Sequence, residues 1–157
     1  MGLIKSLRCP PCELEAPSRK TFRCPSCRAI LEVTVEIGHL TRSDLFNLRR
    51  SQDKTIWRWF EFMPVERRAS IVSLGEGYTP LINSRRLGEK LGIPRLYLKN
   101  DTVLPTGSLK DRSNAVGISR AKELGFKTAA VISTGNVITP VTGGINSIAL
   151  FNNATTN

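Results

Sequence analysis

Four cysteines and one lysine have the types and spacing that chemistry needs. The cysteines form two pairs, Cys9-Pro10-Pro11-Cys12 and Cys24-Pro25-Ser26-Cys27. A Cys-x-x-Cys pair makes a short knuckle that offers two sulfurs from one turn. Two knuckles supply the four ligands of a closed, structural zinc site. Pro10, Pro11 and Pro25 stiffen the turns. The segment is too short to bury a core alone, so a metal would supply its folding energy. Two disulfides or four free thiols are the alternatives the spacing leaves open. Many zinc knuckles place glycine directly after the second cysteine; Glu13 and Arg28 stand there in this chain. His39, the only histidine, reads as a solvated loop residue because four cysteines already fill a site.

The lysine is Lys110, in Pro105-Thr106-Gly107-Ser108-Leu109-Lys110-Asp111-Arg112. A loop ends at Pro105 and Gly107. Ser108 and Asp111 match the Ser-x-x-Asp variant of a capping box, which predicts a helix opening on Ser108 with Lys110 as its second residue. The positive end of the helix dipole disfavours a further positive charge there, and burial in a cleft acts in the same direction. Both lower an amine pKa, and the neutral amine is the form that attacks an aldehyde. The plain alternative is a solvated lysine beside Asp111.

These residues need a scaffold, and its elements can be read in order. Residues 29–37 alternate well enough for a strand that Gly38 breaks. Thr41-Arg42-Ser43-Asp44 starts a helix with Leu45 and Leu48 on one face. Residues 56–62, Ile-Trp-Arg-Trp-Phe-Glu-Phe, are the aromatic centre of the chain and end at Pro64. They read as a short amphipathic helix packing its rings on a neighbouring domain; stacking on nucleic-acid bases is the alternative. Gly75 and Gly77 flank Glu76 in a tight turn. A helix over 85–91 closes at Gly92, and 95–99 is a short strand. The Lys110 helix stops at Leu124-Gly125, and 128–133 suits a buried parallel strand. Strand, helix and strand at this spacing predict a βαβ unit. Its last turn, Ser133-Thr134-Gly135-Asn136, would lie at the carboxyl end of a strand, where open α/β sheets bind ligands.

The chain has 157 residues and a formal net charge of +10. The charge is spread: residues 1–70 hold 13 basic and 8 acidic side chains, and residues 71–157 hold 10 and 5. The net charge favours an anionic partner, whether nucleic acid, a phosphorylated metabolite or a phosphate-bearing cofactor, and its even spread argues against a basic tail. No apolar run is long enough for a membrane span, and the first eight residues do not read as a signal peptide, so a cytoplasmic location is expected. Residues 128–157 contain no charged side chain.

Residues 105–112 closely resemble the lysine motif of pyridoxal-phosphate enzymes of the tryptophan-synthase-β fold, called fold type II. Gly-Glu-Gly-Tyr-Thr-Pro-Leu (75–81) resembles an upstream motif of that family, and 133–136 the loop after its next strand. With a zinc-ribbon-like segment and Ile-Trp-Arg-Trp before them, the motifs look most like the threonine synthase family. The resemblance runs from about Leu7 to Asn136 and covers about the first third of a family member.

The resemblance implies pyridoxal 5'-phosphate as cofactor and Lys110 as its covalent attachment point and proton-moving base. It implies Asn136 as a partner of the cofactor ring hydroxyl, and Ser133, Thr134 and Gly135 as holders of the substrate carboxylate. The implied reaction converts O-phosphohomoserine, a small phosphorylated amino acid, and water into threonine and phosphate, in a homo-oligomer or a single chain. Other fold-type-II enzymes, of the threonine dehydratase or cysteine synthase type, share the lysine motif. A zinc-ribbon nucleic-acid-binding protein is the rival from another class, and it gives the three motifs no role. Leu104, Leu109 and Ser113 depart from the family's usual Asn, Phe and Gly. After Asn136 the likeness stops, and Pro140 and Gly143-Gly144 argue against a helix. The expected architecture is therefore α/β: a zinc-ribbon-like segment (1–38), with Cys9, Cys12, Cys24 and Cys27 as ligands, a helical linker (39–70), a partial, truncated enzyme domain (71–136), and an uncharged tail (137–157) of unrelated sequence.

Overall fold

In the computed structural model, residues 4–16, 21–35, 37, 40–133 and 147–152 are described below. His39 and residues 134–146 lie outside them. Strands β1 (Ile4–Arg8) and β2 (Glu32–Val35) pair antiparallel, with Leu7 opposite Val33 and Arg8 opposite Glu32. The strand predicted over 29–37 is shorter than expected because its first residues close the second cysteine knuckle. Leu31 N donates to Phe22 O at 2.9 Å, and Ala29 O accepts from Cys24 N at 2.8 Å.

The first knuckle repeats this pattern fifteen residues earlier. Ala16 N donates to Leu7 O at 2.7 Å, and Cys9 N to Leu14 O at 2.8 Å. The bridges Arg8–Glu15 and Arg23–Ile30 match as well. Glu13 and Arg28, where glycine is usual, adopt left-handed φ values of 56° and 65°. The knuckle geometry is thus retained without the residue that adopts it most readily.

Helix α1 (Arg42–Arg50) starts at a full capping box: Thr41 N donates to Asp44 Oδ2 at 2.9 Å, and Asp44 N to Thr41 Oγ1 at 3.2 Å. Arg58 closes the other end by donating to Leu48 O at 3.0 Å and to Arg49 O. No residue of α1 is buried, so hydrogen bonds at its ends, rather than an apolar face, hold it in place.

The aromatic segment Ile56–Phe62 is a 3-10 helix with a kink at Trp59. Ile56, Trp57 and Phe60 are buried with Val65 and Ala115 in the main apolar cluster. The packing reading of the aromatic centre therefore holds, and Trp57 is closed to base stacking.

Strands β3 (Leu81–Asn83) and β4 (Tyr97–Lys99) form an antiparallel pair around helix α2 (Arg85–Leu91), which Gly92 closes at φ +69°. Strand β5 (Thr128–Ser133) pairs in parallel with β6 (Ser147–Asn152), Thr128 opposite Ser147. The predicted βαβ unit is not formed. Its first strand, β4, pairs with β3 and its second, β5, with β6, so the described strands make three two-stranded sheets. A three-residue strand gains most from a near neighbour, because the short α2 connection costs little closure entropy. The segment read as an uncharged tail thus supplies a strand. Pro140 and Gly143-Gly144 lie outside the described residues.

Helix α3 (Lys110–Glu123) carries the lysine and is fixed by polar contacts along its length. At its middle, Ser119 is fully buried; its hydroxyl accepts from Val72 N at 2.8 Å and donates to Val72 O at 3.3 Å. At its end, the Glu123 side chain, 6% exposed, accepts from Glu66 N at 3.0 Å and Arg67 N at 2.6 Å. These contacts satisfy backbone donors of the 66–72 segment that would otherwise be left without partners against the helix.

Candidate functional site

The four cysteine sulfurs lie within 4.8 Å of one another, with Cys9 Sγ 3.4 Å from Cys27 Sγ. Four sulfurs about 2.3 Å from one zinc ion would stand about 3.8 Å apart. The cluster has that size, and no disulfide links its members. Cys9 and Cys24 are buried among Leu7, Leu31, Ala16 and Ala29. Backbone N–H groups of Cys27 and Ser26 lower the Cys24 pKa to about 6. The hydrogen bonds among the thiols push Cys12 up to about 12, led by its contact with Cys27, and burial raises Cys9. Without a cation the cluster favours one thiolate and keeps its neighbours protonated. A divalent ion would replace those shared hydrogens and ionise all four, so the donor set fits a thiophilic metal.

Lys110 is the first residue of α3, one position earlier than the capping-box reading placed it. Ser108 does not cap as predicted: Lys110 N donates to Ser108 Oγ at 3.3 Å, while Asp111 turns backward instead of closing the box. The Asp111 carboxylate, 3% exposed, accepts from Thr106 N at 2.9 Å and from the Thr106 hydroxyl. It thereby fixes the loop that precedes the lysine. Gly107, at φ +71°, donates its N–H to Leu104 O at 2.8 Å and completes the turn. Leu104 is buried, so apolar packing stands where the family has an amide. Ser113, at the family's glycine position, donates its hydroxyl to Lys110 O at 3.0 Å. The Lys110 side chain is half-buried and has no ion-pair partner among the described residues.

A second polar cluster joins this turn to the Gly75–Pro80 loop. Arg112 donates to both carboxylate oxygens of Asp101, at 2.9 Å to Oδ1, and to Thr79 Oγ1 at 3.1 Å. Thr79 Oγ1 donates to Asp101 Oδ1 at 2.7 Å, Lys99 Nζ donates to Thr79 O, and Asn100 N donates to Pro80 O at 2.9 Å. Arg112 holds the Asp101 carboxyl at about 2, well below its usual 3.8. Sequence reading missed these roles; the one available signal was an acid and a base eleven residues apart that bracket the lysine motif.

The Gly75–Pro80 loop is also secured from the other side. Trp57 Nε1 donates to Glu76 Oε1 at 3.0 Å, and Leu74 N to Glu76 Oε2 at 2.7 Å. Tyr78 follows at φ +43°, 65% exposed, with Lys54 Nζ 4.6 Å from its ring centroid. Of the residues expected at the far side of the site, Ser133 ends β5, while Thr134, Gly135 and Asn136 lie outside the described residues. A cavity of about 450 Å³ lies elsewhere, between β1–β2 and the second half of α3, lined by Leu7, Phe22, Val33, Ala121 and Leu124. Lys110 does not line it.

Residues 72–137 match the family model described as pyridoxal-phosphate dependent enzyme. A pyridoxal-phosphate-dependent enzyme domain is present. The match includes the Gly75–Pro80 loop, Lys110 and Asn136. The chain is also similar to the threonine synthase of Methanosarcina acetivorans, 37% identical over 131 residues, which cover 83% of this chain and 31% of that protein. It is 40% identical to the threonine synthase of Methanocaldococcus jannaschii over 110 residues, 70% of this chain and 27% of that protein. A threonine synthase of Halalkalibacterium halodurans is 42% identical over 76 residues, 48% of this chain and 21% of that protein. The chain thus spans less than a third of the length of these curated relatives. No solved structure matches. Among the described residues no helix is long and apolar enough to cross a membrane.

Proposed function

We propose that this chain is the lysine-bearing part of a threonine-synthase-like lyase that acts on O-phosphohomoserine and water to give threonine and phosphate. The observation that carries the reading is the placement of Lys110 at the first turn of α3, half-buried and without a carboxylate partner among the described residues. An amine in that setting is suited to covalent attachment to an aldehyde. Pyridoxal phosphate, when bound, supplies an electron sink for carbanion chemistry on an amino acid. Lys110 would hold it covalently, and its amine, when free, would move protons at the substrate carbons. Asp111 and the Gly107 turn keep the amine oriented by fixing the loop before it. Asn136 would hydrogen-bond the cofactor ring hydroxyl, and Ser133, Thr134 and Gly135 would bind the substrate carboxylate. The net positive charge draws in phosphorylated ligands.

Cys9, Cys12, Cys24 and Cys27 hold a structural zinc ion in the 1–38 segment, apart from the chemistry. Residues 39–70 link that segment to the enzyme domain of 71–136, in a protein of the cytoplasm. The test is to add pyridoxal phosphate, record visible absorbance, reduce with borohydride and map the labelled peptide. A new visible band and a reduced adduct on Lys110 are expected. An adduct spread over surface lysines, or none, would overturn the assignment. Release of inorganic phosphate from O-phosphohomoserine, compared with the Lys110→Ala variant, tests the substrate.

A further inference from the structure

Arg112 is the point where three segments distant in sequence meet: the first turn of α3, the 3-10 turn at Asp101–Val103 and the Gly75–Pro80 loop. Its guanidinium makes a two-pronged contact with Asp101 and a third bond to Thr79. Thr79 is 6% exposed, and its own hydroxyl and carbonyl are engaged by Asp101 and Lys99. The planar fork of an arginine suits this arrangement, since one lysine ammonium cannot present two parallel donors and a third to a neighbouring oxygen.

Lys110 lies two residues before Arg112. Its backbone N–H donates to Ser108 Oγ at 3.3 Å, and the N-cap residue Leu109 makes no side-chain capping bond, so the helix terminus has little local capping. Residues two apart on a helix point away from each other, so Arg112 does not share the direction of the lysine side chain. It acts instead on the orientation of the turn. Asp111 fixes the chain before the lysine and Arg112 fixes the helix after it, so the amine is held between two anchored neighbours.

We infer that Arg112, through Asp101 and Thr79, is a positioning residue that sets the Lys110 turn against the Gly75–Pro80 loop. The inference rests on the proposed role of Lys110, but its first test needs no cofactor. In the full chain, amide hydrogen exchange is followed at Thr106, Gly107 and Lys110 in the wild type, Arg112→Gln, Arg112→Lys and Thr79→Val. Arg112→Gln should speed exchange at these amides about fivefold or more, a factor within the reach of one charge-assisted contact at a partly exposed site. Thr79→Val should produce a smaller change at the same amides, and Arg112→Lys an intermediate one. Amides of β1, β2 and the second half of α3 should keep wild-type rates.

Unchanged exchange at the turn in Arg112→Gln, or equal acceleration throughout the chain, would overturn the positioning role. Peptide-mapped acylation of the Lys110 amine against pH gives a second readout. Its profile should shift in Arg112→Gln and return toward wild type in Arg112→Lys; an unmoved profile would overturn the role. If wild-type Lys110 forms no pyridoxal adduct while exchange responds as described, the cofactor reading fails and the coupling of Arg112 to the turn stands.

Discussion

Trp57 donates its indole N–H to a Glu76 carboxylate that is completely buried, joining the aromatic 3-10 helix to the loop that faces the lysine helix. Ser73 Oγ and Leu74 N bind the other carboxylate oxygen, so one side chain satisfies three donors. Glu76→Ala would leave those donors without partners and is expected to cost about 3 kcal/mol. Glu76→Gln keeps the size and an acceptor and should cost about 1 kcal/mol. Urea unfolding followed by Trp fluorescence checks both, and equal costs would show that the carboxylate matters and the size of the side chain does not.

Gly77 tests the same junction by sterics. A Cβ there would stand 2.7 Å from Ile56 N and Thr55 C, in a backbone at φ +141°. Ile56 N already donates to Glu76 O at 2.8 Å, so the neighbour cannot retreat without breaking that bond. Gly77→Ala should destabilise by about 2 kcal/mol or more. The same substitution at Gly117, where nothing lies within 4 Å, is the matched control and should not destabilise.

Asp101 gives the fold a signature in acid. Its folded pKa of about 2 lies below the ordinary 3.8, chiefly because Arg112 hydrogen-bonds the ionised form. A depressed carboxyl contributes stability above its unfolded pKa, and loses it as pH falls through the folded value. Stability carried by this pair should therefore fall between about pH 4 and pH 2. Asp101→Asn should flatten that part of the pH–stability curve. A variant curve parallel to wild type would show that the carboxylate is not what titrates there.

The left-handed residues of the knuckles predict a gain. Glu13→Gly and Arg28→Gly each relieve a backbone that a side chain disfavours, and glycine's greater freedom in the unfolded chain offsets part of the benefit. A net stabilisation of up to about 1 kcal/mol each is expected. The Arg8–Glu13 ion pair, at 3.7 Å between exposed side chains, adds little to oppose it. Thermal melts of the metal-loaded chain decide the sign.

Removal of metal should act on the ribbon first. Elemental analysis is expected to find one zinc per chain, and chelation should release it with loss of amide protection at Cys9, Cys24 and Leu31. Protection at Ser119 and Val72 should persist, since those contacts belong to α3 and the segment it binds. Cys12→Ser should weaken zinc retention, and full retention would remove Cys12 from the ligand set.

Local chemistry made part of the fold readable in advance. Thr41 with Asp44, and Gly92 after Leu91, act through neighbours in sequence, and both helix ends lie where those residues placed them. The cysteine spacing likewise brought four sulfurs together. The capping box at Ser108 failed because Asp111 found a stronger use for its carboxylate in Thr106, a choice that depends on how the loop folds back. The βαβ reading failed because strand pairing is decided by which edge is near, and three-residue strands carry no mark of their partner. Thr79, Asp101 and Arg112 come together only after three segments have packed, so the eleven-residue spacing of Asp101 and Arg112 hinted at a pair but nothing in the sequence joined Thr79 to it.

The fifteen-residue offset between the cysteine knuckles lets one half of the ribbon serve as the internal standard for the other. Leu14 and Ala29 accept the same bond, and Glu15 and Ile30 occupy the same bridge. Exchanging residues between such equivalent sites leaves composition and net charge unchanged, so any difference in behaviour belongs to position alone. The chain thereby separates what a knuckle requires from what its neighbours require of it.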